Sequence, residues 1–217
     1  MTATLSYALF DQLENDASTS VSDSYQNHLS LAERADEAGF THWFKSEHHH
    51  VPLDIAPSIN VFLSAVIQRT NHIRVASLVH LLPFYDPMRL YEELCMLDHL
   101  SNGRLEIGFG KGISPAEQML WGVPNAEAAA QTDEILDYVL SAMRCVAEKG
   151  LGALFSYDGK YYSATERPLE IGPYQEPHPP LWRPGTLSTA AQLGVSTILP
   201  GPIALIAKQA DAYRQET

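Results

Sequence analysis

Apolar and polar positions along this chain follow two different periods. Short, nearly continuous apolar runs are typical of strands that are buried on both faces of a parallel sheet, whereas longer segments with apolar residues at helical spacing predict amphipathic helices. The predicted strands cover 2–10, 40–44, 73–83, 104–110, 181–182 and 196–199. The predicted helices cover 24–38, with a cap at Ser22 or Asp23 and a stop at Gly39, and then 58–70, 88–101, 132–149, 189–194 and 202–215.

Strand and helix therefore alternate about six times, which is the pattern of right-handed βαβ units around a parallel sheet. A complete (β/α)8 TIM barrel usually needs about 250 residues and eight such units. The fold class predicted from the sequence is therefore α/β, either a TIM barrel that is incomplete in this chain or an open sheet. A polar, tyrosine-rich segment with hairpin character runs from Phe155 to Pro180, and we interpret 150–180 as an insertion within one domain that spans 1–217.

Composition and charge exclude several classes of partner. The chain has 217 residues and a net charge of −12 without a basic cluster, which argues against binding to nucleic acid or to an anionic membrane. No apolar stretch reaches the roughly 18 to 20 residues that a membrane helix needs, and no secretory leader is visible, so we expect a cytoplasmic protein. Cys95 and Cys145 lie in predicted helices, which favours buried free thiols over a disulfide.

The segment Ser46-Glu47-His48-His49-His50 follows the second predicted strand and is the first candidate site. If strand alternation continued through it, His48 and His50 would share one face and form a metal pair, which His80 would be needed to complete. A structural or solvated cluster is the second interpretation. We favour a third, proton transfer beside an organic cofactor, because histidine with an ordinary pKa of about 6.5 gives and takes protons near neutrality.

The second candidate is the glycine-rich segment from Gly108 to Gly112, which directly follows the fourth predicted strand. Glycines at such a place let backbone amides approach a phosphate, and Lys111 would add positive charge. The spacing differs from the dinucleotide pattern GxGxxG and from the P-loop. A tight turn without a ligand is the alternative interpretation.

Three blocks, "WFKSEHHH", "RVASLVHLLPFYDPMRLYEELCMLDHLSNGRLEIGFGKG" and "HPPLWRPGTLSTAAQLGVSTIL", together resemble the bacterial luciferase-like flavin monooxygenases. The resemblance covers nearly the whole chain. It implies a TIM barrel, often dimeric, that uses reduced FMN supplied by a separate reductase, or in one branch a reduced deazaflavin.

The resemblance also implies roles for individual residues. Glu47, His48 and His49 match the family's Glu-His-His at the end of the second strand, where the first histidine is catalytic, so His48 is expected to handle protons beside the flavin. Leu78 and Val79 match a bulge at which relatives carry a non-prolyl cis peptide that supports the flavin ring.

The phosphate side of the expected site departs from the family. Lys111 stands where relatives often have an arginine, Gly110 replaces a reactive cysteine, and Ala128, Ala129 and Ala130 occupy a region in which relatives place another arginine. The loop after the fifth strand is shorter than its family counterpart. The cofactor-binding set implied by the resemblance is Leu78, Val79, Gly110, Lys111, Gly112, Arg183, Thr186 and Ser188.

The leading hypothesis is a monooxygenase that uses reduced FMN and dioxygen to oxidise a small organic substrate. Its expected partners are the substrate, dioxygen, a separate flavin reductase and a second subunit in a homodimer or heterodimer. A deazaflavin-dependent oxidoreductase of the same fold is one alternative. Another is a non-catalytic flavin-binding or partner subunit, because strands seven and eight of a barrel have no counterpart here. A metal-dependent barrel hydrolase is the remaining one.

Overall fold

The computed structural model describes residues 6–14, 17–50, 52–199 and 201–216, with side-chain surroundings omitted for 203 and 211–216. The first predicted strand therefore lies partly outside the described residues. The strands are β1 Ala8–Asp11, β2 His42–Lys45, β3 Arg74–Ser77, β4 His80–Leu81, β5 Leu105–Gly110, β6 Ala153–Asp158, β7 Ser163–Leu169 and β8 Leu181–Trp182. The helices are α1 Val21–Glu37, α2 Ile59–Arg69, α3 Pro87–Leu100, α4 Pro115–Leu120, α5 Asn125–Lys149, α6 Leu187–Leu193 and α7 Ile203–Glu216, with a 3-10 turn at Leu82–Phe84.

Six strands form one parallel sheet in the order β1-β2-β3-β5-β4, with β8 also paired to β5. The connections from β1 to β2, from β2 to β3 and from β4 to β5 each carry a helix, as the alternating pattern predicts. Within the described residues β1 pairs only with β2, so the sheet does not close on itself. The prediction of an α/β fold with an incomplete TIM barrel is confirmed.

The third predicted strand is interrupted. Residues 73–83 form two short strands, β3 and β4, which are separated by a cis peptide bond between Leu78 and Val79. Both pieces pair with β5, because Val75 lies opposite Leu105 and His80 lies opposite Phe109. The non-prolyl cis bond that the family resemblance implies is therefore present at the expected place.

Buried apolar residues of α1, α2, α3 and α5 form one core with those of the strands. On α5 Ile135, Val139 and Met143, which recur at i, i+4 and i+8 in the sequence and so predict one helical face, are buried. On α2 Ile59, Phe62, Leu63 and Val66, which recur at i, i+3, i+4 and i+7 and so predict one helical face, are also buried.

The predicted details of α1 are partly wrong. The helix begins after Ser20, whose hydroxyl accepts a hydrogen bond from the backbone N–H of Asp23 at 3.1 Å, so neither Ser22 nor Asp23 is the cap. Helical spacing places Leu31 with Ala35 and Ala38 on the expected apolar face, but Leu31 is 39% exposed, and the buried apolar residues of the helix are Leu29, Ala32 and Ala35. Several polar residues of the types that cap helices precede the apolar residues, so the sequence does not select one of them as the cap. The apolar spacing also fits two neighbouring faces of the helix, so periodicity alone did not identify the buried face.

Three further elements differ from the sequence prediction. The helix expected from 132 begins at Asn125, directly after Pro124, so Ala128, Ala129 and Ala130 are helical. The short helix α4 was not predicted. Residues 196–199 do not form a regular strand, because only Ser196 makes an isolated bridge, to Trp182. Among the described residues the backbone pairing of this segment is limited to the bonds of Ser196 with Leu181 and Arg183, so the pairing stops after one bridge.

The segment interpreted as an insertion contains the antiparallel hairpin β6–β7. It packs against α5, where the rings of Tyr138 and Phe155 meet edge to face with centroids 5.1 Å apart.

That residues 1–217 make a single domain stays a prediction. No helix in the described part of the chain is both long and apolar enough to cross a membrane.

A buried ion pair fixes the chain just beyond β2. Lys45 contacts Asp54 through its ammonium group, and both side chains are completely inaccessible to solvent. The carboxylate of Asp54 also accepts hydrogen bonds from the Ser46 hydroxyl at 2.7 Å and from the backbone N–H of Ala56 at 2.8 Å. These bonds tie both ends of the loop that follows β2 to one buried carboxylate.

We predict that Asp54→Ala lowers the free energy of unfolding by about 3 to 5 kcal/mol, because it leaves the Lys45 ammonium buried without a partner. Chemical denaturation followed by circular dichroism measures the loss. The double variant K45M/D54L should be more stable than Asp54→Ala, since it removes both buried charges together.

The matched control is Glu33→Ala. Glu33 pairs with Arg69 at 3.4 Å, but the two side chains are 38% and 36% exposed, so we expect a change below about 1 kcal/mol. Equal losses for Asp54→Ala and Glu33→Ala would contradict the structural importance of the Lys45–Asp54 pair.

Candidate active site

A cavity of about 450 Å³ opens at the carboxyl ends of the parallel strands. In barrels of this kind the strand ends at that side of the sheet carry the active site. The lining residues come from the segments after β2, β3, β5 and β8 and from α4 and α5. They are Glu47, His48, Leu78, Val79, Leu81, Phe109, Gly110, Lys111, Gly112, Ile113, Glu117, Ala129, Thr132, Arg183 and Pro184.

The histidine segment is a loop, because β2 ends at Lys45. Glu47 and His48 both line the cavity, whereas His50 is exposed and takes a left-handed conformation with φ 58°. The metal pair of His48 and His50, which strand alternation would have allowed, does not form, since the side chains of a loop do not alternate like those of a strand.

Glu47 is buried, and both of its carboxylate oxygens are engaged. Oε1 lies 2.8 Å from Nε2 of His49, and Oε2 accepts hydrogen bonds from the backbone N–H of Leu81 at 3.2 Å and from the hydroxyl of Tyr85 at 2.8 Å. Burial, together with the negative charge of Glu47, raises the pKa of Tyr85 well above its ordinary value. Tyr85 therefore keeps its proton at neutral pH and donates a hydrogen bond to Glu47.

Glu117 is a site residue that the sequence analysis missed. It lies on α4, is 2% exposed, and directs Oε1 at the histidine loop, 3.3 Å from Nδ1 of His48 and 2.7 Å from the backbone N–H of His49. The run Ser114-Pro115-Ala116-Glu117 carries a helix-start signal, with a serine cap and a proline in the first turn. Ser114 does cap the helix by accepting from the Glu117 N–H at 3.3 Å.

His49 belongs to an aromatic cluster beside the cavity. Its ring meets the edges or faces of Phe84 and Trp121 with centroids 5.7 and 5.0 Å away. Phe84 and Trp121 stack on each other at 5.4 Å with an interplanar angle of 12°. This packing holds His49 against Phe84 and Trp121, and His49 is not among the residues that line the cavity.

Close packing between β3 and β5 requires a glycine at position 108, the first residue of the glycine-rich segment. A Cβ on Gly108 would lie 2.0 Å from the carbonyl oxygen of Ser77, so only glycine lets β3 and β5 approach here. The Ser77 hydroxyl donates to the Gly108 carbonyl at 2.8 Å and accepts from the Gly108 N–H at 2.9 Å. Gly110 and Gly112 line the cavity, and Gly112 has a left-handed φ of 77°.

Two positive side chains line one cavity together, Lys111 after β5 and Arg183 after β8. Arg183 places its guanidinium 5.6 Å from the centre of the Phe109 ring, and one of its nitrogens is 3.5 Å from a carboxylate oxygen of Asp133. Ala129 lines the same cavity from α5, in the region where the relatives implied by the resemblance place an arginine. Arg183 therefore supplies a second cation to the cavity from a different element.

Thr186 and Ser188 are not among the cavity-lining residues. Thr186 caps α6 by accepting from the backbone N–H of Thr189 at 3.3 Å, and the hydroxyl oxygens of Thr186 and Ser188 are 3.1 Å apart. Both residues are exposed. Their hydroxyl groups serve the start of the helix in this structure.

His80 does not reach the cavity either. It is fully buried, and its Nε2 lies 2.6 Å from the side-chain oxygen of Asn60. Burial lowers the pKa of His80, and the nearby negative charge of Glu47 partly opposes this shift. Among the residues that the structure describes, no three His, Cys, Asp or Glu side chains are arranged to hold a metal ion.

Comparisons with known proteins agree with this geometry. Residues 5–216 match the family model described as luciferase-like monooxygenase. Uncharacterized protein y4wF of Sinorhizobium fredii is 38% identical over 216 residues, which make up 98% of this chain and 61% of that protein. This chain therefore spans about three fifths of the length of that relative.

Two solved structures share the fold. Monooxygenase RslO1 from Streptomyces bottropensis has a TM-score of 0.83 and 26% identity, over 97% of this chain and 65% of that one. The oxygenating constituent of 3,6-diketocamphane monooxygenase from Pseudomonas putida, a Type II Baeyer-Villiger enzyme in complex with FMN, has a TM-score of 0.79 and 20% identity, over 90% and 57% of the two chains. By the match to its family model over nearly the whole length, the chain belongs to the luciferase-like monooxygenases.

Proposed function

We propose that this protein is a flavin-dependent monooxygenase that uses reduced FMN and dioxygen to oxidise a small organic substrate. One observation carries the proposal. A single cavity at the carboxyl ends of the strands combines the Leu78–Val79 peptide, the two cations Lys111 and Arg183, and the imidazole of His48. Family membership and the FMN complex of the Pseudomonas relative support the same assignment.

The residues of the cavity fit an FMN-like group. Its volume of about 450 Å³ lies within the roughly 300 to 1,000 Å³ that small-molecule sites occupy. Leu78, Val79 and Phe109 give an apolar wall suited to a flat ring system, and Lys111 and Arg183 suit a phosphate. Gly110 and Gly112 leave backbone beside Lys111 uncovered by side chains, which suits a close approach by an anion.

In this proposal, bound reduced FMN supplies the electrons with which dioxygen is activated, and the protein residues bind, orient and manage protons. Lys111 and Arg183 hold the phosphate, and the Leu78–Val79 segment supports the ring. His48 gives or takes a proton at the cavity surface, where imidazole is suited to general acid or base catalysis. Glu47 and His49 support the loop that carries His48, since both carboxylate oxygens of Glu47 are already hydrogen-bonded to His49, Leu81 and Tyr85.

The remaining partners follow from the same proposal. Reduced FMN comes from a separate flavin reductase, and the active assembly is a homodimer or heterodimer. The substrate is a small organic molecule that reaches the cavity past Ile113, which is 91% exposed at its edge.

The first test is an anaerobic titration of the protein with reduced FMN. We expect saturable binding, and we expect Lys111→Ala and Arg183→Ala each to weaken it by about ten- to hundredfold, as for the loss of a hydrogen bond to a charged group. Affinity for reduced riboflavin, which lacks the phosphate, should change less than twofold in both variants.

Lys149→Ala and Arg144→Ala are the matched controls, because both residues are exposed on α5 and neither lines the cavity. They should bind reduced FMN like the parent protein. If the parent protein does not bind reduced FMN, the flavin proposal fails and a non-catalytic role is favoured. Binding of a reduced deazaflavin in preference to FMN would move the proposal to the deazaflavin branch.

The second test concerns His48. We predict that His48→Ala lowers oxygenation by about a hundredfold or more while affinity for reduced FMN stays within about threefold, because loss of general acid or base catalysis leaves the binding contacts in place. Photoreduced FMN, isotopically labelled dioxygen and a panel of small cyclic ketones provide the assay, which measures labelled oxygen in the product.

His50→Ala is the control for this test, since His50 lies two residues away in the same loop but is exposed and does not line the cavity. It should keep parental turnover. Parental turnover in His48→Ala as well would remove His48 from the catalytic role.

A further inference from the structure

We propose that Glu117 is a positioning residue for His48, which holds the proton of the neutral imidazole on Nδ1 and leaves Nε2 as the free acceptor facing the cavity. The catalytic meaning of this arrangement rests on the proposed function, but the arrangement itself is a property of the chain without flavin. No segment of the sequence analysis pointed to Glu117.

The contacts of one oxygen atom carry the argument. Oε1 of Glu117 accepts the backbone N–H of His49 at 2.7 Å, so it acts as an acceptor. The same oxygen lies 3.3 Å from Nδ1 of His48. Two acceptors at that distance repel each other, so the hydrogen between Oε1 and Nδ1 has to come from the imidazole.

The position of the proton determines what His48 offers to a ligand. In a neutral imidazole one nitrogen donates and the other accepts, so a proton on Nδ1 leaves the lone pair on Nε2. His48 lines the cavity, and Nε2 has no hydrogen-bond partner among the described residues. His48 is therefore prepared to accept a proton from a molecule bound in the cavity.

The two carboxylates of the site have separate tasks. Both oxygens of Glu47 are engaged by His49, Leu81 and Tyr85, so Glu47 is directed at the second histidine. Glu117 is directed at the first histidine, His48, and lies on a different element, α4. The Ser114 cap of α4 fixes the helical turn that carries Glu117. Because Glu117 is only 2% exposed, little water competes for its bond to His48.

Long-range proton–nitrogen correlation spectra of the imidazoles test the inference without flavin or substrate. The spectra are taken at a pH of about 8.5, well above the ordinary histidine pKa of about 6.5. The His48 signals are identified by their absence in His48→Gln. We expect the Nδ1–H form in the parent protein, whereas a dominant Nε2–H form, the one preferred by free imidazole, would overturn the proposal.

Variants at position 117 separate positioning from simple support of the loop. Glu117→Ala should move His48 largely to the Nε2–H form, and Glu117→Gln should retain much of the Nδ1–H form, because its amide oxygen still accepts from both nitrogens. Glu148→Ala, at an exposed position on α5, is the control and should leave the spectrum unchanged. An Nδ1–H form that persists in Glu117→Ala would contradict the proposal.

Kinetics of the flavin-loaded protein then test the functional consequence. We expect Glu117→Ala to lower kcat at least tenfold with KM nearly unchanged, Glu117→Gln to recover part of this loss, and Glu117→Ala/His48→Ala to be no slower than His48→Ala alone. Additive losses would show that Glu117 acts independently of His48 and would overturn the positioning role. If the parent protein has no turnover, the proposed function fails while the spectra still decide the assignment of Glu117.

Discussion

The buried ion pair between Lys45 and Asp54 is the interaction on which the site depends. Two charges without solvent contact are expensive to bury, and they are tolerated here because the Asp54 carboxylate is also bonded to Ser46 and to the backbone of Ala56. The pair holds the two ends of the loop after β2 together and so restricts its backbone to one path. Glu47, His48 and His49 lie within that loop, so the pair constrains the backbone that carries them.

Parallel strand direction then brings distant residues together. The loop after β2, the break between β3 and β4, the turn after β5 and the loop after β8 all lie at the carboxyl edge of one sheet. Three independent features thus share a single cavity, the cis peptide, a pair of cations and a histidine with its own carboxylate. The close approach of β3 and β5, which Gly108 permits, keeps the cis peptide beside the glycine turn.

Much of this could be predicted from the sequence, and the failures have physical causes. The alternation of strands and helices, the incomplete barrel and the candidates His48 and Lys111 came from local patterns and from family blocks. Glu117 was missed because its role depends on a contact across 69 positions of the chain, which no local period encodes. The alternative in which His48 pairs with His50 fails because it extends strand alternation past the true end of β2 at Lys45.

The sequence by itself determined the α/β order, the buried faces of α2 and α5, and the chemical groups available at the strand ends. Those features follow from hydrophobic periodicity and residue chemistry, which act over a few neighbouring positions. The tertiary structure alone decided that 196–199 makes a single bridge, that Thr186 and Ser188 serve a helix cap, and that Arg183 reaches the cavity beside Lys111. Each of these outcomes depends on which segments become neighbours in space, and a residue's own surroundings in the chain do not contain that information.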